Sequence, residues 1–232
     1  FGRPSFTDVL TQIGEAWKTQ RKEIVESATD ISQKIGESVA LKAREGIKLD
    51  PAWLDQAVTR FKAEYDPRYG GFGNAPKFPR PSQPLMLLRH AYRTGDQDAI
   101  DMVLHTCDKM AAGGMYDQIG GGFARYSVDA KWLVPHFEKM LYDNGQLASA
   151  YATSVERTGD PYHEEVLRDL LEYVLREMTE ADGAFRSAQD AEVDAREGGS
   201  HVWRPAEVAE ALREGGLEND VDFTLEAYGL SE

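Results

Sequence analysis

The chain has a single cysteine, Cys107, in 232 residues. One thiol rules out an internal disulfide and any cysteine-rich metal site, and it suits a reducing, cytoplasmic setting. Positive charge is also scarce: 26 Lys and Arg face 40 Asp and Glu, a net charge of −14. Binding to nucleic acid rests on neutralising phosphates, so this balance argues against that partner, and equally against an anionic membrane surface. No apolar run approaches the ~20 residues of a membrane span. The first residues, FGRPSFTDVL, lack the basic-then-apolar pattern of a secretory leader. Because they open on Phe1 rather than Met, the chain is expected to be a fragment or processed product. No long strand pattern, phosphate-cradling glycine loop or GxSxG elbow is present.

What remains is enough for a folded body. Apolar residues at 41% and charged residues at 28% describe a globular chain long enough to bury a core. Its acidic surface reads as solubility. Ser5-Phe-Thr-Asp8 has the form of a helix capping box, and Phe6, Val9, Leu10, Ile13 and Trp17 follow at helical spacing. That pattern runs on through Ile24, Ala28, Ile31 and Ile35, predicting one long helix or two in series over roughly 5–37. A second helix is predicted at 51–65, with Pro51 in its first turn and a stripe of Trp53, Leu54, Ala57, Val58, Phe61 and Tyr65. Further helices are predicted from Ser82 through Tyr92, at 96–112, 136–157, 161–179, 205–214 and 218–228. About eight helices result, making the chain all-α.

The helices are separated by three irregular stretches. DPRYGGFGNAPKFPRPSQP (66–84) is too rich in glycine and proline to be regular. GGMYDQIGGGFARYSVDAKWLVPHFEKMLYDN opens irregularly over 113–135, and ADGAFRSAQDAEVDAREGGSHVW fills 181–203. Each carries a glycine-aromatic core, GGF at 70–72, GGGF at 120–123 and DGAF at 182–185, as a degenerate repeat would. Helix pairs repeated in this way stack into an α/α solenoid or close into an α/α toroid, whose loops gather around a pocket.

The chemistry-bearing residues crowd into these stretches. In 70–79, Lys77 offers a cation and Phe72 and Phe78 offer stacking surfaces, although a proline-braced helix connection would also use such residues. The middle stretch holds Asp117, Arg125, Tyr126, Asp129, His136, Glu138 and Asp143. His is the natural acid–base near neutral pH, while the plainer role for His136 is to satisfy a backbone carbonyl at a helix start. On a helix beginning at 136, His136, Met140 and Asp143 share a stripe and Glu138 points away. His136 and Glu138 are therefore no metal pair, since that needs i and i+4. His105 and Cys107 are two apart in mid-helix and face opposite ways. Counted from Asp190, a calcium loop would need glycine at the sixth position and glutamate at the twelfth; Ala195 and His201 stand there. No metal site and no cofactor are expected. Asp190, after Ser-Ala-Gln, remains a candidate to project into a pocket.

FGRPSF at 1–6, GGFGNAPKFP at 70–79, YDQIGGGFARYSVDAKWLVPHFEKMLYDN at 116–144, SAQDAEV at 187–193 and HVW at 201–203 together resemble the thioredoxin-domain-containing family of spermatogenesis-associated protein 20 and its bacterial relatives. The resemblance implies a cytosolic protein in which a thioredoxin-like domain precedes an (α/α)6 toroid similar to N-acylglucosamine 2-epimerases and six-hairpin glycosidases. FGRPSF corresponds to the segment just after that domain, and the chain is expected to cover the first part of the toroid over 1–232, without the thioredoxin-like domain. Glu192 and Val193 depart from the family's third motif, so no ligand role is given to 192–194.

On this resemblance the expected activity is sugar processing, as an epimerase, isomerase or glycosidase relative. His136 is the expected acid–base and Asp117 or Asp190 its partner carboxylate. Arg125 and Lys77 would orient substrate oxygens, and Phe78, Tyr126 and Trp132 would stack on a sugar face. The competing expectation is a non-catalytic platform for the redox domain, in which these groups are packing devices. Redox chemistry is not expected of the chain itself, because Cys107 lacks a partner. Exposed inner-helix faces of a part-toroid would favour self-association.

Overall fold

A computed structural model describes residues 4–40, 48 and 50–230. Residues 1–3 of the FGRPSF stretch and 231–232 lie outside the described residues. The chain divides into two compact units, 1–50 and 51–232.

The first unit is two helices in series, α1 (Phe6–Thr19) and α2 (Arg21–Val39). The capping box forms as expected. Ser5 Oγ accepts from the Asp8 N–H at 3.2 Å, and Asp8 Oδ2 accepts from the Ser5 N–H at 3.0 Å. Gln20, at φ −129° and ψ 27°, leaves helical geometry and separates the two. The predicted stripe of Phe6, Leu10, Ile13, Ile31 and Ile35 is exposed.

The second unit is built from helix hairpins. It begins with α3 (Ala52–Glu64), followed by α4 (Ser82–Thr94) paired with α5 (Gln97–Ala111), and α6 (Leu141–Thr158) paired with α7 (Pro161–Glu177). A last group comprises α8 (Pro205–Glu214), a 3-10 turn at Glu218–Asp220 and α9 (Val221–Ala227). The two complete hairpins turn on the same tripeptide, Thr94-Gly95-Asp96 and Thr158-Gly159-Asp160. Each glycine ends its helix in left-handed geometry, at φ +77° and +65°, which costs glycine nothing. Each aspartate then caps the next helix: Asp96 accepts from the Ala99 N–H, and Asp160 from the Tyr162 and His163 N–H groups.

Leu87, Leu88, Val103, Met110, Leu147, Val166 and Leu170 meet in one core, each worth about 1.5–3 kcal/mol of burial. Tyr151 joins three helices there. Its ring lies against Phe123 and His163, and its hydroxyl donates to the Cys107 carbonyl at 2.8 Å. Burial pushes the Cys107 thiol up to about 12, so it stays protonated and inert. Trp53, Leu54 and Tyr92 were expected inward and are exposed instead; Tyr92 covers itself with the Arg157 guanidinium, 4.8 Å above its ring.

The largest departure concerns the helix predicted from 136. It starts at Leu141, and 135–140 is extended. Three two-stranded ladders tie the excursions down: β1 (Tyr126–Ser127) with β2 (Pro135–His136), β3 (Lys139–Met140) with β4 (Ala188–Gln189), and β5 (Glu192–Val193) with β6 (Arg196–Glu197). These pairings claim the backbone groups that a helix start at 136 would need. The chain is therefore all-α in its body, with two-residue strands only in the loops.

Candidate functional site

The glycine-rich excursions are copies of one wiring diagram. In the first, the Asp66 N–H donates to the Gly71 carbonyl, the Gly70 N–H donates back to the Asp66 carbonyl, and Tyr65 bridges to Phe72. In the second, Asp117 pairs likewise with Gly122 and Gly121, and Tyr116 bridges to Phe123. Each aspartate caps two loop N–H groups with Oδ1, and each holds a buried lysine with Oδ2: Lys77 at 2.7 Å and Lys139 at 2.8 Å. A third copy, Glu180 to Phe185, closes in the same way with Arg186 as its cation. The glycines are required by packing. At φ +76° and +79°, Gly71 and Gly122 let the rings of Trp132 and Tyr173 seat where a Cβ would collide.

Segment 135–140 divides this region into two faces, because successive side chains of an extended backbone point opposite ways. Pro135, Phe137 and Lys139 turn to a cavity of about 790 Å³. Asp117 and His201 line it as well, with His201 Nδ1 3.4 Å from Asp117 Oδ2 and its ring stacked 5.5 Å from Phe137. Burial opposes the charge on Asp117, but His201, Lys139 and the Gly120 N–H outweigh it and hold the carboxyl well below its usual range.

His136 and Glu138 turn to the other face. There Phe78, Tyr126 and His136 form a three-ring stack, with centroids 4.7 and 5.0 Å apart. His136 Nδ1 meets Glu197 Oε1 at 2.7 Å, and its Nε2 lies 3.9 Å from Glu138 Oε2. Arg125 donates to the same Glu138 oxygen at 2.9 Å. Asp143, in the first turn of α6, has a buried Oδ2 with no hydrogen-bond partner. Burial pushes its carboxyl up to about 6, with Arg125 opposing and Glu138 reinforcing.

The expected site residues therefore separate. Phe78, Arg125, Tyr126 and His136 come together. The expectation that Glu138 diverges from His136 is corrected, since it assumed a helix and Glu138 lies between two short strands. Asp117 lies on the opposite face, held by Lys139 and His201. Asp190 is exposed and caps the Glu192 N–H at the start of the β5–β6 hairpin. Neither aspartate bonds to His136. Lys77 and Trp132 are fully buried, which corrects their expected roles as substrate contacts. The Lys77 ammonium is consumed by Asp66, the Ala130 carbonyl and the face of Trp132, whose indole N–H donates to the Tyr69 carbonyl.

Glu197, Lys139 and His201 were missed as site groups, and Asp143 was noted beside His136 without a role. Glu197 and His201 reach the site only through the hairpin pairing, which local spacing does not reveal. Lys139 was legible in principle, as the counterpart of Lys77 in a repeat of Tyr-Asp, Gly-Gly-Phe and a later lysine. One further constellation carries a false signal. Ser154 Oγ lies 2.6 Å from His163 Nδ1, and His163 Nε2 lies 2.9 Å from Asp108. Ser154 and His163 have no exposed surface, so the trio ties α5, α6 and α7 together and offers no nucleophile. Among the described residues no group of His, Cys, Asp or Glu has the arrangement of a metal site, and no helix is long and apolar enough to cross a membrane.

No protein-family model matches the chain. Among known structures, a sugar epimerase from a ruminal bacterium aligns over 75% of this chain and 53% of its own, with 16% identity and a TM-score of 0.51. That likeness concerns the fold, which resembles an (α/α)6 toroid. Among sequences, human spermatogenesis-associated protein 20 is 36% identical over 253 aligned residues, covering 99% of this chain and 31% of that protein. The rat protein of the same name is 35% identical over the same shares. An uncharacterised Caenorhabditis elegans protein is 32% identical, covering 82% of this chain and 26% of its own. The chain is similar to spermatogenesis-associated protein 20 across nearly all of its own length, and it spans about a third of the length of the human and rat proteins.

Proposed function

We propose that the second unit carries a carbohydrate-processing site on the face formed by Phe78, Arg125, Tyr126, His136, Glu138 and Asp143. The observation that carries this reading is the three-ring stack with His136 set between Glu197 at 2.7 Å and Glu138 at 3.9 Å. Flat rings suit the apolar face of a sugar. A histidine flanked by carboxylates suits proton transfer at a hydroxyl-bearing carbon. Asp143, pushed up to about 6 by burial, adds a carboxyl able to hold a proton near neutral pH on the same face. Glu138 and Glu197 take the partner role first sought in Asp117 or Asp190. The fold shared with a sugar epimerase supports the substrate class.

A second reading, a non-catalytic platform, draws support from one feature. Arg125–Glu138 and His136–Glu197 already satisfy each other, as packing pairs do. Turnover decides between the two. With a panel of aldoses, ketoses and disaccharides, His136→Ala is expected to abolish conversion and leave the helical circular dichroism unchanged. Conversion retained in that variant would remove His136 from the chemistry. No binding by any sugar of the panel would favour the platform.

A further inference from the structure

The repeated wiring supplies an internal control for the opposite face. In the first copy, Asp66 Oδ2 meets Lys77 alone. In the second, Asp117 Oδ2 meets Lys139 and also His201. The lysine clamp folds the loop in both copies, so His201 is an addition that the loop does not need. It sits where the second copy opens onto the 790 Å³ cavity, a size typical of small-molecule sites. The remaining lining is chiefly apolar and aromatic, including Tyr116, Phe137, Trp203, Phe223 and Tyr228. His201 Nδ1 lies 3.4 Å from Asp117 Oδ2; the tautomer that carries its proton on Nδ1, beside that carboxylate, has Nε2 as an acceptor, and Nε2 is buried without a partner.

We infer that this cavity is a second ligand site, separate from the His136 face. It takes an uncharged, flat, largely apolar small molecule bearing one hydroxyl or N–H donor, which bonds to His201 Nε2. A charged ligand is disfavoured because Asp117 and Lys139 already neutralise each other and the rest of the wall is apolar. The inference does not rest on the carbohydrate reading, since the two sites share no lining residue.

The test uses the whole chain and two neutral probes, 2-naphthol and its methyl ether, titrated by tryptophan fluorescence and checked by calorimetry. The wild type is expected to bind 2-naphthol several-fold to about tenfold more tightly than the ether, the range of one hydrogen bond. His201→Phe keeps the stack on Phe137 and should bind both probes equally. Ala211→Trp narrows the cavity and should lose both, with circular dichroism reporting that the helices are intact. Equal binding of the two probes by the wild type would overturn the inference. So would a preference that survives His201→Phe, binding undiminished in Ala211→Trp, or a concentration-dependent dimer that buries Trp203 and excludes both probes. Sugar turnover is measured in the same variants and is expected to be unchanged, so failure at one site is distinguishable from failure at the other.

Discussion

The excursion at 65–77 and the one at 116–139 share their wiring and differ in their ends. Lys77 stands 11 residues beyond its aspartate, and Lys139 stands 22 beyond its own. The extra length in the second copy is the β1–β2 hairpin. That hairpin delivers Trp132 as a lid onto the first copy, where it covers Lys77 and fills the space beside Gly71. It also carries Tyr126 and His136 to the ring stack. Over Lys139 the corresponding lid is Tyr173, from α7, at 4.5 Å, and Asp117 is left facing a cavity. Both lysines are buried and both aspartates are partly exposed, but only the second copy borders a cavity. What both copies share is what a glycine loop needs in order to fold; what only the second has is where chemistry can be sought.

The comparison is broken most directly at the lysines. Lys77→Met removes the cation from the partly exposed Asp66 and from the Ala130 carbonyl, and a buried pair that loses one partner typically costs ~3–5 kcal/mol. A loss near the lower end, about 3 kcal/mol, is expected because Asp66 keeps its two loop N–H bonds. Lys139→Met should cost less, about 2 kcal/mol, because Asp117 keeps His201 as a second neighbour. Denaturant midpoints at neutral pH measure both. Equal losses would mean that His201 does not compensate Asp117 for the missing lysine.

A second difference lies in the polar side chains that hold the loop amides. Thr106 Oγ1 accepts from the Gly71 N–H at 2.8 Å. Asn144 accepts from the Phe123 N–H at 2.7 Å and donates to the Phe123 and Met140 carbonyls. At about 0.5–1.5 kcal/mol per bond, and more where a buried partner is left unpaired, Asn144→Leu should cost about 2–3 kcal/mol and Thr106→Val about 1. If the order is reversed, the longer second loop is pinned elsewhere, by its strands.

The helices could be read from the sequence because their signals are local. Ser5 and Asp8, Pro161 behind Asp160, and the stripe of Leu147 and Tyr151 each state a helix within a few residues. The site was read only in part, because its geometry depends on pairings at long range. Val-Pro-His-Phe-Glu-Lys-Met looks like a helix start, with proline first and an acid following. The segment is extended because Tyr126 faces His136 and Gln189 faces Lys139 across strands that the sequence separates widely. That one change of backbone state moved Glu138 onto the His136 face and Lys139 away from it. Phe78, Arg125, Tyr126 and His136 survived as a group because strand pairing gathers them whether or not a helix follows. Lys77 and Trp132 carried the right chemistry for a ligand and were claimed by the interior, a matter of burial that residue type does not report.

The smallest expected effect tests the two faces of segment 135–140 against each other through their carboxyls. Asp117 is held down by its cations, while Asp143 is pushed up to about 6 by burial, with no partner on Oδ2. A carboxyl with a raised folded value favours the folded state while protonated, and that contribution is lost as pH rises from about 4 through about 6. Above that window wild-type Asp143 is ionised in both states and carries an uncompensated desolvation cost. Asp143→Asn removes the cost, so the variant is expected to be more stable than the wild type at pH 7.5. Discounted for a group only half removed from solvent, the gain is about 1 kcal/mol, and it should close to nothing as pH falls to about 4. Asp117→Asn should show the opposite sign, losing at neutral pH a stability that the wild type itself loses on acidification. Paired denaturant titrations check this, across pH 4–8 for Asp143→Asn and from pH 7 to well below 4 for Asp117→Asn. A flat difference for Asp143→Asn would mean that Arg125 compensates its charge, and the face would then offer His136 no proton-holding carboxyl.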